Sequence, residues 1–130
     1  MEAIIGVRLS DARIILICGG RDYRSYRRVT QVLNLFPNLR CIVHGDARGA
    51  DRLARQWAEL SSVEHKSYPA DWDKLALGAG PARNQQMLNE NPDIDLVIAF
   101  PGGNGTLDMC TRAAAQGIEV KSIDWDWKAK

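Results

Sequence analysis

The fold of this chain is indicated by one stretch, Leu96-Val97-Ile98-Ala99-Phe100-Pro101-Gly102-Gly103-Asn104-Gly105-Thr106. Its first five residues form a continuous apolar run with the length of a buried β-strand. From Thr106 to about Gln116, apolar residues including Met109 and Ala113 recur on one helical face. A glycine-rich turn between a strand and a helix gathers backbone N–H groups at the positive end of the helix dipole, which favours phosphate or another anion. A tight turn without a ligand is the alternative interpretation.

The same alternation of apolar strand and amphipathic helix recurs along the whole chain. Strands are predicted at residues 14–18, 41–44, 63–68, 96–100 and 119–123. Helices are predicted at residues 25–34, around 50–58, after Pro81 as a short helix, and at 106–116 with Gly117 as its cap. This order predicts an α/β fold: a single Rossmann-like, three-layer domain over residues 1–130, with a mostly parallel sheet of about five strands. Residues 1–12 are a possible edge strand or arm, and residues 124–130 a tail whose Trp125 and Trp127 pack on the body or on a partner subunit.

Composition narrows the classes of function. The chain has 130 residues and a net charge of +1, with 25% charged and 45% hydrophobic residues. Near-neutral charge disfavours nucleic acid as a partner, although Arg21, Arg24, Arg27 and Arg28 form a local basic cluster that is either a solvated helix face or a phosphate contact. No apolar run approaches the roughly 18 residues of a membrane span, and no signal-peptide pattern is present. We therefore predict a cytoplasmic protein with no membrane partner.

The cysteines and histidines suggest neither a disulfide framework nor a metal site. The three cysteines, Cys18, Cys41 and Cys110, lie in apolar segments without metal-ligand spacing, which indicates reduced core residues. His44 and His65 are far apart in sequence, which gives little support to a zinc site. No metal and no cofactor are predicted.

The loops that follow the predicted strands are rich in glycine, arginine and aspartate. In an open α/β sheet, ligands bind outside the carboxyl ends of the strands. The predicted ligand-binding residues in these loops are Gly19, Gly20, Arg21, Gly45, Asp46, Arg48, Asp51, Trp72, Arg83, Asn84, Gly102, Gly103, Asn104, Gly105 and Thr106.

These loop residues offer different interactions. The glycines of the first loop let the backbone approach a ligand, and Arg21 can hold a phosphate or carboxylate through its planar fork. Asp46 and Asp51 can accept hydrogen bonds from ribose, although Asp51 near a helix start can simply interact with the helix dipole. Trp72 either stacks on a base or packs in the core, and Arg83 can meet a phosphate or a leaving group. The first turn lacks GxGxxG, and a P-loop lysine is absent, so NAD-type oxidoreduction and ATP hydrolysis both lose support.

Five motifs occur in the order found in a small YspA-related group of the SLOG superfamily, which this chain resembles from about Ile14 to Ile123. The motifs are Gly19-Gly20-Arg21-Asp22-Tyr23, His44-Gly45-Asp46-Ala47-Arg48-Gly49-Ala50-Asp51, Pro69-Ala70-Asp71-Trp72, Gly80-Pro81-Ala82-Arg83-Asn84-Gln85-Gln86-Met87 and Phe100-Pro101-Gly102-Gly103-Asn104-Gly105-Thr106. The wider superfamily includes lysine-decarboxylase-like phosphoribohydrolases, the DNA-processing protein and sensors of nucleotide-derived signals. The resemblance implies a nucleotide-derived or phosphorylated small molecule as the partner, and a homo-oligomer of two subunits.

One position departs from the phosphoribohydrolase pattern Pro-Gly-Gly-x-Gly-Thr-x-x-Glu. Pro101 to Thr106 match it, but Met109 occupies the position of the catalytic glutamate. By this resemblance, Arg83 corresponds to the essential arginine of the phosphoribohydrolases. Asp108 lies about 100° around the helix from Met109 and is expected to point away from the position of the catalytic glutamate. Asp46, Asp71 or Asp22 from other loops could replace the glutamate. Arg83 and Asp46 are the catalytic candidates if the protein is an enzyme.

The sequence therefore leaves three functions open. The first is binding, sensing or processing of a nucleotide-derived or phosphoribosyl ligand at the carboxyl edge of the sheet. The second is hydrolysis of a nucleotide-like N-glycosidic bond, which needs a carboxylate to stabilise an oxocarbenium-like transition state. The third is a module that binds single-stranded nucleic acid or another protein.

Overall fold

The computed structural model describes residues 3–4, 7–70, 78–125 and 127. Within them the strands are β1 (Ala3–Ile4), β2 (Val7–Arg8), β3 (Ile14–Cys18), β4 (Cys41–His44), β5 (Glu64–Ser67), β6 (Leu96–Ala99) and β7 (Val120–Ser122). The α-helices are α1 (Tyr26–Leu33), α2 (Ala50–Leu60), α3 (Ala79–Glu90) and α4 (Asn104–Ala115). A short 3-10 helix at Leu9–Asp11 precedes β3.

Five strands form one parallel sheet in the order β5-β4-β3-β6-β7. The chain moves from β3 outward to β4 and β5, then crosses back to place β6 on the other side of β3. The predicted α/β, Rossmann-like fold is confirmed. β1 and β2 pair with each other in an antiparallel hairpin that is separate from this sheet. The reversal of strand order puts a crevice between the carboxyl ends of β3 and β6, which is the usual ligand position in such sheets.

Helices cover both faces of the sheet because successive side chains of a strand point to opposite faces. Ile15 and Ile17 of β3 belong to a core that includes apolar residues of α1 and α2, among them Leu33 and Trp57. Leu16 and Cys18 face the other way, into a second core with residues of α3 and α4. This second core contains Met87, Leu88, Met109 and Ala113, so α3 and α4 are held on the face next to the crevice.

Two of the differences between the observed and the predicted helix boundaries concern the crevice. Helix α4 begins at Asn104, two residues before the predicted start, so Gly105 is already helical. Helix α3 is not short: it runs for 12 residues from Ala79, with Pro81 inside its first turn. Proline is tolerated there because N–H groups of the first turn have no partner within the helix.

The carboxyl end of α4 shows the predicted glycine cap. Gly117 has φ +78°, its N–H donates to Ala114 O at 3.0 Å, and Ile118 N–H donates to Ala113 O at 3.0 Å. This pattern is a Schellman motif, which turns the chain out of the helix toward β7. Beyond β7, the Trp125 ring lies 5.5 Å from that of Tyr23, and Trp127 packs against the first core. Trp125 and Trp127 therefore pack on the body of the protein.

Among the described residues, no helix combines the length and the apolar character required to cross a bilayer.

Replacing the capping glycine should destabilise the fold without touching the crevice. A Cβ at Gly117 would meet no atom within 4 Å, so the cost of Gly117→Ala comes from the positive φ alone. We expect a loss of about 1–2 kcal/mol in the free energy of unfolding, measured by urea denaturation. An unchanged unfolding free energy would show that this residue does not hold the left-handed conformation in solution.

Candidate ligand-binding site

Two loops meet at the crevice through their backbones. Gly20 N–H, just after β3, donates to Pro101 O, just after β6, at 2.8 Å. Gly20 O in turn accepts from Ala50 N at 3.2 Å, which ties the first turn of α2 to the same place. The three segments therefore form one continuous backbone floor at the point where the strand order reverses.

Packing of these segments accounts for several of the glycines. A Cβ on Gly19 would lie 2.5 Å from Ala50 Cβ, and one on Gly20 would lie 2.8 Å from Pro101 O. A Cβ on Gly102 would lie 2.7 Å from Gly20 N. The sequence interpretation assigned Gly19 and Gly20 to close approach of a ligand, and the structure shows that they also allow close approach of one loop to another.

Above this floor lies a cavity of about 700 Å³, called here the main cavity. Its lining joins the carboxyl end of β3 with the beginnings of three helices. The lining residues are Ile17, Cys18, Gly19, Gly20, Arg21, Ala47, Asp51, Gly80, Pro81, Arg83, Asn84, Met87, Gly103, Asn104, Gly105, Thr106 and Asp108. Most of the predicted ligand-binding residues are thus brought together here, whereas Ile17, Cys18 and Met87 were not predicted because they resemble ordinary core positions.

Three helix N-termini converge on the main cavity. The residues that precede α2, α3 and α4 are Gly49, Gly78 and Gly103, and none of them caps its helix through a side chain. The first N–H groups of a helix have no partner within the helix and carry its positive dipole end. The cavity is therefore suited to an anion on physical grounds that do not depend on any one side chain.

Arg83 adds a fixed positive charge at the start of α3. Its Nη1 donates to Gly45 O at 2.7 Å and Tyr68 O at 3.4 Å, and its Nε donates to Asn84 Oδ1 at 3.0 Å. Burial lowers the pKa of Arg83, while the negative charge of Asp51 acts in the opposite direction. A Cβ at Gly45 would overlap the guanidinium, so the absence of a side chain at Gly45 allows Arg83 to pack against the end of β4.

Asp51 is a buried carboxyl group with a structural task. It is 6% exposed, and its Oδ2 accepts from Gly45 N at 3.1 Å and Ala47 N at 3.2 Å. Burial raises the pKa of Asp51 to about 6, although these hydrogen bonds and the Arg83 charge oppose the increase. The carboxylate therefore shapes the loop after β4 rather than acting only on the helix dipole.

Asp108 faces the main cavity, contrary to the expectation from its position in the motif. Met109 is fully buried in the second core, so the neighbouring position on α4 is turned toward α3 and the cavity. Asp108 Oδ2 accepts from Arg112 Nε at 2.8 Å and from Asn84 Nδ2 at 3.0 Å. Partial burial alone would raise the pKa of Asp108, but the two hydrogen bonds and the Arg112 charge lower it overall. The carboxylate is therefore ionised at neutral pH.

Asp46 and Arg48 lie outside the main cavity. They line a neighbouring cavity of about 360 Å³, called here the second cavity, together with Arg21, Gly45, Ala47, Arg52, Pro69, Ala70 and Arg83. Asp46 Oδ1 lies 3.3 Å from Arg55 Nη1 and 3.8 Å from Arg52 Nε. Arg48 Nη2 lies 3.3 Å from Asp22 Oδ1. Asp46 thus pairs with α2 rather than facing the main cavity as a catalytic carboxylate.

The structure also joins residues that are distant in sequence. His44 Nε2 lies 3.2 Å from His65 Nδ1 and 3.3 Å from Ser67 Oγ, and its Nδ1 accepts from Asp46 N at 3.0 Å. Burial and the nearby His65 lower the pKa of His44 to about 4, so this ring is neutral at pH 7. In the described parts of the chain, no three His, Cys, Asp or Glu side chains are grouped as a metal site. All three cysteines are free thiols.

Two predicted residues, Trp72 and Asp71, lie outside the described residues. Their assignments as a base-stacking side chain and a substitute carboxylate stay predictions.

Comparison with known proteins identifies a family and a relative of this chain. Residues 13–75 match the model of the YspA, cpYpsA-related SLOG family. The chain is also 34% identical over 119 residues to the Gene 61 protein of Mycobacterium phage D29, in an alignment that covers 83% of this chain and 94% of that protein. The family match spans β3, α1, β4, α2 and β5, and therefore the loops that supply Gly20, Arg21 and Asp51.

The raised pKa of Asp51 predicts an unusual pH dependence of stability. Between its ordinary value of 3.8 and about 6, the folded protein keeps a proton that the unfolded chain has released. The stabilisation from Asp51 is thus present below pH 3.8 and lost as the pH rises through 6. The unfolding free energy of the wild type minus that of Asp51→Asn should fall by on the order of 2–3 kcal/mol over this range, measured by urea denaturation.

His44 should show a pH dependence of stability opposite to that of Asp51. Because its pKa falls from 6.5 to about 4 on folding, its stabilisation is present above 6.5 and lost as the pH falls through 4. The unfolding free energy of the wild type minus that of His44→Gln should therefore rise as the pH increases from about 4 to 6.5. A difference for Asp51→Asn that is independent of pH would show that this carboxyl is not buried as described.

Proposed function

We propose that this chain, which belongs to the YspA, cpYpsA-related SLOG family, binds a nucleotide-derived or phosphoribosyl small molecule in the main cavity. Family membership supports a nucleotide-related ligand. The main cavity supports the position, since about 700 Å³ is within the usual range for small-molecule sites. A homodimer and a cytoplasmic location stay predictions from the sequence.

The anionic group of the ligand would lie at the start of α4. There the N–H groups of the first turn have no side-chain cap, and Arg21 and Arg83 line the same cavity. The observation that carries the proposal is Gly105. A Cβ at this helical residue would meet no atom of the described residues within 4 Å, and its φ is not in the positive range. Nothing in the described part of the chain requires glycine there, whereas a ligand on the helix start would use the space that the missing side chain leaves.

The rest of the cavity matches the remaining parts of a nucleotide. Asp108 is an ionised acceptor suited to ribose hydroxyl groups, and it is held in place by Arg112 and Asn84. Ile17, Cys18 and Met87 provide an apolar wall for a base. An apolar lining with a few polar groups is the usual composition of a small-molecule site.

Removing the charge of Arg83 should weaken binding of a nucleoside monophosphate. A charge-assisted hydrogen bond contributes about 1.5–3 kcal/mol, so Arg83→Gln should lower the affinity for AMP by about tenfold or more, measured by calorimetry. Arg27→Gln is the control, because Arg27 is exposed on α1 and lines neither cavity. If wild-type protein binds none of AMP, GMP, ADP-ribose and cyclic AMP at high micromolar concentration, the proposal is wrong.

A side chain at position 105 should raise the stability of the fold and lower its affinity for the ligand. Gly105→Ala places a methyl group in open space on a helix, which should stabilise the fold by about 0.5–1 kcal/mol. The same methyl group would meet a phosphate on the helix start, and we expect the affinity for AMP to fall by roughly tenfold. Thermal unfolding and calorimetry on the same sample measure both effects. A more stable variant with unchanged affinity would place the ligand elsewhere.

Hydrolysis of an N-glycosidic bond is the second candidate function, favoured by the position of Asp108. An ionised carboxylate beside the sugar can stabilise an oxocarbenium-like transition state, and Met109 cannot. In the structure Asp108 faces the cavity while Met109 is buried, so the chain has a carboxylate one position before the expected glutamate.

If the protein hydrolyses its ligand, Asp108→Asn should lower the rate of base release by on the order of 100-fold or more. The affinity should change much less, because the substituted amide keeps an oxygen that can accept from Arg112. Base release from AMP, followed by chromatography, measures the rate. Asp46→Asn is the matched comparison: a loss of activity there but not at position 108 would assign the carboxylate to Asp46.

A further inference from the structure

We propose that the second cavity binds a second anionic group of the same ligand, so that the preferred ligand is a diphosphate-containing nucleotide rather than a monophosphate. This inference rests on the proposed function for the main cavity. It adds the class of ligand and a binding subsite.

The charges around the second cavity are strongly one-sided. Of the residues that the structure describes, its lining contains four arginines, Arg21, Arg48, Arg52 and Arg83, and one carboxylate, that of Asp46. The main cavity is balanced, with Arg21 and Arg83 against Asp51 and Asp108. Planar guanidinium groups suit the oxygens of phosphate, which they can contact in pairs. A volume of about 360 Å³ is larger than a single water site requires and leaves room for a phosphate group.

The two cavities share a wall. Arg21, Ala47 and Arg83 line both of them. Arg83 is held at this border by Gly45 O and Tyr68 O, at the ends of β4 and β5. A phosphate at the start of α4 and a second phosphate beside Arg48 would therefore both lie near one guanidinium. Adjacent phosphates of a diphosphate can contact the same guanidinium, whereas a monophosphate provides a single group for it.

Among the described residues, the carboxylates of Asp46 and Asp22 do not offset all of the positive charge around the second cavity. Asp46 is directed toward α2, where Arg55 and Arg52 lie 3.3 Å and 3.8 Å from its Oδ1. Arg48 pairs with Asp22, but their side chains are 68% and 88% exposed, so solvent screens this pair and a ligand can replace it. Arg52 is 61% exposed and also accessible from the cavity. An anion in the second cavity therefore meets mainly positive charge.

The test measures three probes by calorimetry at one fixed salt concentration: AMP, ADP-ribose and inorganic pyrophosphate. The variant Arg48→Gln/Arg52→Gln removes two charges of the second cavity. The control variant, Arg27→Gln/Arg40→Gln, removes two exposed arginines that line neither cavity. We expect the first variant to lose about tenfold or more in affinity for ADP-ribose and pyrophosphate while its affinity for AMP stays within about twofold. The control should bind all three like the wild type.

A second variant removes a negative charge from the second cavity and should have the opposite effect on affinity. Asp46→Asn removes the negative charge of the second cavity and keeps a residue type that tolerates the φ of +54° found here. Its affinity for pyrophosphate should rise. A fall in affinity would show that Asp46 is needed to position Arg52 and would overturn the charge argument.

The outcomes separate this inference from the proposed function. If AMP and ADP-ribose bind but the Arg48/Arg52 variant binds both like the wild type, the second subsite is wrong and the main site stands. If neither nucleotide binds while pyrophosphate binds and is lost in that variant, the proposed function is wrong and the second cavity is an anion site in its own right. Pyrophosphate binding that is unchanged by the variant overturns the inference.

Discussion

The contact between the backbones that follow β3 and β6 is the constraint on which the site depends. The hydrogen bond from Gly20 N–H to Pro101 O, at 2.8 Å, closes the floor of the crevice. Side chains at Gly19, Gly20 or Gly102 would meet the neighbouring segments within 3 Å. Because these residues lack Cβ atoms, α2 and α4 can both begin at the same edge of the sheet. The convergence of helix N-termini on the main cavity is a consequence of that close approach.

The pKa of each carboxyl group in the site depends on its burial and its hydrogen bonds. Burial raises the pKa of Asp51 to about 6, whereas hydrogen bonds from Arg112 and Asn84 lower that of Asp108. The two carboxyl groups of one cavity are therefore ionised over different pH ranges. Arg83 is held by backbone carbonyls and lines both cavities, so a single guanidinium lies between the start of α4 and the arginines on the loop after β4 and on α2.

Sequence patterns predicted the sheet well because its central strands are buried. Ile14–Cys18 and Cys41–His44 are continuous apolar runs ended by glycine, and the structure has strands with the same bounds. The start of α4 was placed two residues late, since Asn104 and Gly105 resemble turn residues until their backbone is seen to be helical. That shift matters little for the fold. Asp108 was assigned to the wrong direction for a related reason: its orientation depends on Met109 packing against the second core.

Local sequence patterns were sufficient to predict the fold class and to single out the loops after the strands, most of which line the main cavity, because burial periodicity and glycine-rich strand ends are local properties. Tertiary structure decided which residues of those loops share a cavity. Asp46 and Asp51 are close together on one loop and helix start, yet Asp46 pairs with Arg55 and Arg52 while Asp51 faces the main cavity. His44 and His65, distant in sequence, lie 3.2 Å apart because β4 and β5 are neighbours. The direction of a side chain, and its distance from residues remote in sequence, depend on packing between helices and strands, which local sequence patterns do not encode.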